Sequence, residues 1–468
     1  MVERPNGEPV LNGGPVLNGG QGLSREEAEN LREVTSPNIV ALFRVVHASS
    51  KIVGEEDGGI IDFDLASPLF DDGTSKAITA IYSPITQERA VRIIDQLQSY
   101  RHTVEALPPS DDEGLQMQID FLKAKLRAFE TFYGVNFANT LEISPTDYIR
   151  ELMGIEPVLI GERRLEGQLQ DVRETFALLG WSSYDRESIE AFRRSQLIDP
   201  AEIPGLMQTS GQDLLGELSR IIGRDFTPNF VAETDNRDEY WINWADGNRE
   251  RFRLRVNTHA RHAQRLTISK IESMVPHEIA AHFGQMFGWL NNPRLIPILG
   301  VTTVFDPEQI TAEGIAQTLH LFVDGISEKL TEGAKFELEA EGLRQMVYNN
   351  IHKRISDGET IPEEEVREYI RHYCPAETDE EIAKQIKDRT EDPIFRAYLY
   401  AYGIGFAMHK WMAQSLNYDG RRRLLRLIFR QPVTPQQELN FVNNMLSSEH
   451  RGQYGRASTQ SWEQFLAR

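Results

Sequence analysis

Cysteine is almost absent from this sequence, and long apolar runs are missing as well. Cys374 is the only cysteine among 468 residues, so neither an internal disulfide framework nor a cysteine-based metal site can form. No stretch approaches the roughly 18 apolar residues that a bilayer-spanning helix needs. The N-terminus likewise has no charged region followed by the apolar run of a signal peptide. We therefore expect a protein of the reducing cytoplasm.

Positive charge is also scarce. Lys and Arg total 50 residues against 71 Asp and Glu, which gives a net charge of −21. Nucleic acids and anionic membrane surfaces would repel such a chain overall, so we expect neither of them as a partner. The length and the 40% of hydrophobic residues are enough for about two to four packed units.

The patterns along the chain predict four segments. Residues 1–23 carry a tandem Pro-Val-Leu-Asn-Gly-Gly repeat and too few apolar side chains to offset the entropy of ordering, which predicts a disordered tail. Apolar residues at helical spacing then predict an N-terminal helical subdomain at 24–160, in which one long helix stops at Gly134. A catalytic core at 161–330 and a C-terminal helical subdomain at 331–468 follow.

The pattern changes to strand-like alternation just before residue 260. Residues 240–244 and the alternating apolar residues of 252–256 flank Ala245-Asp246-Gly247-Asn248. Asp-Gly between two such runs predicts a β-hairpin, and it is the only strand pair that the sequence indicates clearly. The hairpin could hold an extended substrate by backbone pairing or simply cover the neighbouring helix.

The stretch from Val275 to Gly284 reads as a helix that carries His277, Glu278 and His282. Neutral imidazoles are common zinc ligands, and an adjacent carboxylate can take a proton from water. Five residues on a regular α-helix turn through about 140°, so the two histidines could not reach one ion. A π-helical turn would absorb the extra residue, and such turns occur mostly at functional sites. We therefore predict a π-bulge between His277 and His282.

Zinc in a catalytic site needs a third protein ligand and one open position. Glu313 is the leading candidate, because it stands on a separate predicted helix 31 residues after His282. Gly314 follows it, and the missing side chain would allow a second helix to approach closely. Gln317 lies four residues after Glu313, on the same helical face, and could support a ligand by hydrogen bonding.

His277-Glu278-Ile279-Ala280-Ala281-His282 and Glu313-Gly314-Ile315-Ala316 together resemble the H-E-x-x-x-H and E-G-L-A pattern of the tyrosine carboxypeptidase family. That family includes the bacterial flavohemoglobin expression-modulating QEGLA motif proteins and the microtubule-associated tyrosine carboxypeptidase. The resemblance implies one Zn²⁺ held by His277, His282 and Glu313, with Glu278 as catalytic base. It also implies removal of a C-terminal aromatic residue, Tyr or Phe, from a peptide or protein. Two positions depart from the pattern, Ala312 in place of Gln and Ile315 in place of Leu.

These observations predict a mainly α (α+β), helical zincin-like metallopeptidase with a small antiparallel sheet next to the active helix. A donor should stabilise the developing oxyanion and a cation should bind the substrate carboxylate. Our candidates for these two roles are Arg396, Tyr398, Tyr402 and His262. A zinc endopeptidase or aminopeptidase with the same ligands, and a non-catalytic helical regulatory protein, are the alternatives.

Overall fold

The computed structural model describes residues 61–64, 86–223, 225–238, 242–248, 251–392, 395–452 and 462–466. These residues form a mainly helical protein with one small sheet, as the sequence predicted for the fold class. The predicted tail and part of the predicted N-terminal helical subdomain lie outside the described residues. The α-helices, numbered in chain order, are α1 Gln87–Glu105, α2 Glu113–Tyr133, α3 Pro145–Met153, α4 Glu162–Leu178, α5 Arg186–Ser195, α6 Ile203–Ile222, α7 Ile268–Met274, α8 Gly284–Leu290, α9 Gln309–Phe322, α10 Asp324–Lys329, α11 Glu332–Ser356, α12 Glu363–Tyr373, α13 Asp379–Thr390, α14 Phe395–Ser415, α15 Tyr418–Ile428, α16 Pro435–Gly452 and α17 Trp462–Leu466.

The sheet is mixed rather than antiparallel. Its five strands, in the order β2-β4-β3-β1-β5, are β1 Ile61–Asp64, β2 Phe230–Asp235, β3 Asn243–Asn248, β4 Phe252–Asn257 and β5 Val301–Thr303. The pairs β1·β3 and β2·β4 are parallel, whereas β3·β4 and β1·β5 are antiparallel. The sequence therefore missed three strands, because segments as short as the three residues of β5 show no recognisable periodicity.

The predicted hairpin is present as the antiparallel pair β3·β4, but the predicted turn residues lie within strand β3. Gly247 pairs with Phe252, so Asp246 and Gly247 belong to strand β3 and not to the turn. Asp246 accepts two hydrogen bonds from Arg253, at 3.0 and 2.8 Å, and one from Arg255, at 3.0 Å. These cross-strand bonds stabilise Asp246 within the ladder, where it acts as a pairing residue instead of a turn residue.

One continuous hydrophobic core extends through the described residues from Ala90 to Leu466. Side chains from distant parts of the chain meet in it. The rings of Phe132 and Phe305, for example, stack with their centroids 4.2 Å apart. The predicted subdomain boundaries at residues 160 and 330 stay predictions. Within the described ranges, none of the helices is both long and apolar enough to cross a membrane.

The long helix α2 ends at Tyr133 and Gly134 is its C-cap, as the sequence predicted. Gly134 nevertheless has a helical φ of −62° and begins a π-helical turn, Gly134–Ala138, that continues the helix. This turn ends at Asn139, whose φ of 52° lies in the left-handed region that Asn tolerates. A capping box opens α16, since Thr434 and Gln437 each accept a hydrogen bond from the other's backbone N–H, at 3.2 and 2.9 Å.

Helices α9 and α14 cross closely at a pair of glycines. A Cβ on Gly314 would lie 2.2 Å from Nδ1 of His409 and 2.6 Å from the carbonyl oxygen of Gly405. Only glycine permits this approach, as the sequence predicted for Gly314. Glu313 lies on α9, and Tyr398 and Tyr402 lie on α14, so the crossing sets the distance between these side chains.

Candidate metal centre

A π-helix from Val275 to Phe283 carries both histidines, which confirms the predicted π-bulge. It continues helix α7 and runs into α8 without a break. Pro276 lies in its first turn and, because the helix is continuous there, cannot donate a backbone hydrogen bond to the preceding turn. The wider turn brings His277 and His282 to the same side of the helix, with their Nε2 atoms 3.3 Å apart.

Glu313 completes a compact set of three donor atoms. Its Oε2 lies 3.3 Å from Nε2 of His277 and 3.8 Å from Nε2 of His282. Donors that surround zinc tetrahedrally at about 2.0–2.1 Å are themselves about 3.3 Å apart, so the spacing fits one ion. Oε2 of Glu313 is also buried and accepts no hydrogen bond from the residues that the structure describes, although buried carboxylate oxygens normally have a partner. The donor set therefore suits a zinc ion.

Glu278 is a second carboxylate beside this set. Its Oε1 lies 3.8 Å from Nε2 of His277, and one ligand atom each from His277, Glu278 and His282 fall within 4.8 Å of one another. The set with Glu313 is tighter, and Glu278 Oε1 already accepts a hydrogen bond of 2.5 Å from Nδ2 of Asn243. Glu313 is therefore better placed than Glu278 to be the third donor beside the two histidines.

Burial and charge set the protonation of this centre. Burial raises the pKa of the Glu278 carboxyl, and the nearby charge of Glu313 adds to the effect. Burial lowers the pKa of His282 to about 4, which keeps the imidazole neutral, as a metal ligand requires. Burial by itself would raise the pKa of Glu313, but the close approach of His277 and the hydrogen bond from Tyr398 hold it below its usual range.

Two predicted tyrosines lie at the centre. The Tyr398 hydroxyl donates to Oε1 of Glu313 at 2.6 Å and lies 2.7 Å from the Tyr402 hydroxyl. Tyr398 thereby fixes the carboxylate oxygen that does not face the histidines. Gln317 lies nearby, but its Nε2 donates to the backbone carbonyl of Tyr402 at 3.2 Å, so it supports α14 rather than a ligand side chain.

Two cavities open on the donor set. The first, which we call the apolar cavity, has a volume of about 210 Å³ and includes Trp244, Met286, Trp289, Val304 and Phe395 in its wall. The second, the polar cavity, has a volume of about 160 Å³. Its wall includes Lys270, Ser273, Gln317, Glu337 and Glu341. The residues shared by both cavities are Asn243, His277, Glu278 and Tyr402.

The structure places two other candidates elsewhere. Neither His262 nor Arg396 is among the described residues that line the two cavities. Arg396 donates to Oδ1 of Asn136 at 2.7 Å, and its guanidinium lies over the Tyr148 ring, 4.2 Å from the centroid. His262 is buried in a short 3₁₀ helix, Ala260–Arg265.

Sequence reasoning missed several residues of the cavities. Asn243, a polar residue inside an apolar strand, was the one that a local signal could have revealed. Lys270 and Glu308 gave no such signal, because each lies in an ordinary polar context. Glu308 is buried in the apolar cavity, where burial and the charge of Asp306 raise its carboxyl pKa well above the usual range. Burial therefore favours the protonated form of Glu308.

No protein-family model and no curated protein matches this chain. Two solved structures are similar. A "putative lipoprotein" from Colwellia psychrerythraea is 12% identical with a TM-score of 0.51, over 80% of this chain and 73% of that one. A "putative lipoprotein of unknown function" from Shewanella oneidensis is 12% identical with a TM-score of 0.44, over 80% and 76%. The first match shows a shared fold, and the resemblance to the tyrosine carboxypeptidase family stays a prediction.

Proposed function

We propose that the chain is a zinc-dependent metallocarboxypeptidase of helical zincin-like fold. It would hydrolyse the last peptide bond of a peptide or protein and so release the C-terminal residue. The observation that carries the proposal is the convergence of His277, His282 and Glu313 on one point, with the unpartnered Oε2 of Glu313 facing both imidazoles. A buried set of two imidazoles and one carboxylate, with a further carboxylate beside it, is the donor chemistry of catalytic zinc sites. A non-catalytic helical regulator would not need this arrangement.

Each residue of the centre has a separate task in this proposal. Zn²⁺, when bound, supplies a Lewis acid that polarises the scissile carbonyl and acidifies water. Glu278 takes the proton from the attacking water and passes it to the leaving amine. Asn243 holds the Glu278 carboxylate in place through its 2.5 Å hydrogen bond. Tyr402 lines both cavities, and its hydroxyl, which donates to Tyr398 while Tyr398 donates to Glu313, can turn to donate to the developing oxyanion.

The apolar cavity supports an aromatic substrate residue. Its tryptophans, Trp244 and Trp289, together with Met286 and Phe395, offer the flat apolar surface that an aromatic ring packs against. Burial favours the protonated form of Glu308, which lies in the same wall, and its carboxyl group can donate a hydrogen bond to a phenolic oxygen or accept one from it. A tyrosine or phenylalanine side chain would fit both features.

A panel of peptides tests the function. Peptides with different C-terminal residues, each as a free acid, a C-terminal amide or an N-acetylated form, are incubated with the zinc-loaded protein and read by mass spectrometry. We expect loss of one C-terminal Tyr or Phe from free acids, no cleavage of amides, and no effect of N-acetylation. A chelator should stop the reaction and added Zn²⁺ should restore it. Internal cleavage or N-terminal trimming would replace the proposal by the endopeptidase or aminopeptidase alternative.

A further inference from the structure

Lys270 lines the polar cavity and makes no ion pair with a carboxylate in the described part of the chain. Lys270 lies in α7 and lines the cavity together with Ser273 and Gln317. Among the residues that the structure describes, no carboxylate lies within ion-pairing distance of its Nζ. A partly buried lysine that faces a cavity without an ion pair can bind an anionic group of a ligand.

The two glutamates of the polar cavity, Glu337 and Glu341, differ in their ion pairs with neighbouring residues. Glu341 lies 3.3 Å from Nη1 of Arg344 and accepts a hydrogen bond of 2.6 Å from Gln345. Burial raises its pKa, but the charge of Arg344 and then that of Lys270 lower it to about 2, so the carboxylate stays ionised and its charge is offset. Glu337, in contrast, has no ion pair among the described residues and lines the same cavity.

The polar cavity adjoins the reacting groups. Asn243, His277, Glu278 and Tyr402 line it as well as the apolar cavity, so a chain end that enters it passes the donor set. In a carboxypeptidase substrate the terminal carboxylate is separated from the scissile nitrogen by a single carbon atom. The cation that binds this carboxylate must therefore lie in a cavity that opens directly on the metal centre. Lys270 meets this condition, whereas Arg396 does not.

We propose that Lys270 binds the C-terminal carboxylate of the substrate and that the polar cavity is the subsite for the end of the chain. This inference rests on the proposed carboxypeptidase function and names the residue that would give it exopeptidase specificity. Glu337 lines the same cavity, and its negative charge should weaken the binding of a carboxylate and strengthen that of a cation. Substitutions of Lys270 and Glu337 therefore distinguish an anionic ligand from a cationic one.

The test compares four variants with the unsubstituted protein. Lys270→Met removes the charge, Lys270→Arg keeps it, and Glu337→Gln removes the opposing charge. Lys123→Met, which removes a surface lysine paired with Asp120 at 3.4 Å, is the matched control. The fold should tolerate the change at Lys270, because the cap of α7 uses only its backbone N–H, bonded to Thr267 Oγ1 at 3.1 Å. Thermal melting checks this point.

We expect Lys270→Met and Glu337→Gln to change the KM for free-acid peptides in opposite directions. Lys270→Met should raise KM by about 10- to 100-fold, the effect of losing a charge-assisted hydrogen bond, with a much smaller change in kcat. Lys270→Arg should retain most of the affinity, Glu337→Gln should lower KM, and Lys123→Met should change nothing. An unchanged KM in Lys270→Met, or a raised KM in Glu337→Gln, would overturn the inference and indicate a cationic ligand.

A binding measurement separates this inference from the proposed function. Fluorescent peptides ending in a free acid or an amide are titrated against the zinc-loaded Glu278→Gln variant, with and without Lys270→Met. The inference predicts tighter binding of the acid, and loss of that preference in the double variant. If no peptide is hydrolysed yet this preference is found, the proposed function fails and the assignment of Lys270 stands. If hydrolysis occurs but Lys270→Met keeps the preference, only the assignment of Lys270 fails.

Discussion

At the scale of single residues, the hydroxyl of Tyr398 links the metal centre to helix α14. Its hydrogen bond to Oε1 of Glu313 leaves Oε2 directed at the two histidines. Partners of this kind orient a ligand and raise its affinity for the metal. The sequence could indicate that Tyr398 and Tyr402 were candidates, but the pairing of Tyr398 with Glu313 joins residues 85 positions apart, and no local pattern encodes it.

Replacing Tyr398 by Phe tests this role. The variant loses the hydroxyl that fixes Glu313, so its affinity for Zn²⁺ should fall by about 10- to 100-fold, as measured by competition with a chromophoric chelator. Tyr402→Phe is the matched control, because Tyr402 contacts the Tyr398 hydroxyl at 2.7 Å rather than a ligand. It should bind Zn²⁺ more tightly than Tyr398→Phe does. Equal affinities of Tyr398→Phe and the unsubstituted protein would contradict the role.

At the scale of elements, the site depends on the distance between α9 and α14. Gly314 and Gly405 face each other where the helices cross, and a Cβ on Gly405 would lie 2.7 Å from the carbonyl oxygen of Ile310. Backbone atoms cannot move aside as a flexible side chain can. A side chain at either glycine would therefore push α9, with Glu313, away from the tyrosines of α14.

Gly314→Ala should both destabilise the protein and weaken metal binding. The added methyl overlaps His409 and the Gly405 carbonyl, and overpacking of this kind costs about 1–3 kcal/mol in the free energy of unfolding. Gly167→Ala on α4 is the control, since nothing lies within 4 Å of its added Cβ. That substitution should stabilise the protein by roughly 0.5–1 kcal/mol through better helix propensity. Denaturant melts of both variants check the prediction, and equal stabilities would contradict it.

The elements also show what the sequence could predict and what it could not. The π-bulge followed from the five-residue spacing of the histidines, because two ligands must face one ion. The hairpin turn was misplaced, because local preference favoured a turn at Asp246-Gly247 while three hydrogen bonds from the arginines of β4 hold Asp246 in the strand. Strands β1 and β5 pair across more than two hundred residues, which periodicity cannot reveal.

At the scale of the whole molecule, one buried histidine couples stability to pH. His352 of α11 is 1% exposed, and burial followed by the charge of Arg389 lowers its pKa to about 3. The unfolded chain takes up a proton on this residue near its ordinary pKa of about 6.5, whereas the folded protein does not until about pH 3. Because His352 is buried in its neutral form, the free energy of unfolding falls progressively as the pH drops from about 6.5 to about 3.

His352→Gln should reduce this acid sensitivity. Between about pH 7 and pH 4.5 the histidine costs the folded state roughly 2–3 kcal/mol, so the variant should lose that much less stability over the same interval. Urea melts at both pH values, with a chelator present so that metal binding does not contribute, give the difference. His102→Gln, at a histidine whose side chain is 72% exposed, is the control. Identical pH dependence in His352→Gln and the unsubstituted protein would contradict the prediction.

The central claim is that His277, His282 and Glu313 hold a zinc ion while Glu278 moves the proton. The most direct measurement is the zinc content of the purified Glu278→Gln variant together with its rate of release of a C-terminal Tyr or Phe from peptides. We predict about one zinc per chain, as in the unsubstituted protein, and a rate lower by about 10²- to 10⁴-fold. Full activity of Glu278→Gln, or an unsubstituted protein that binds no zinc, would contradict the claim.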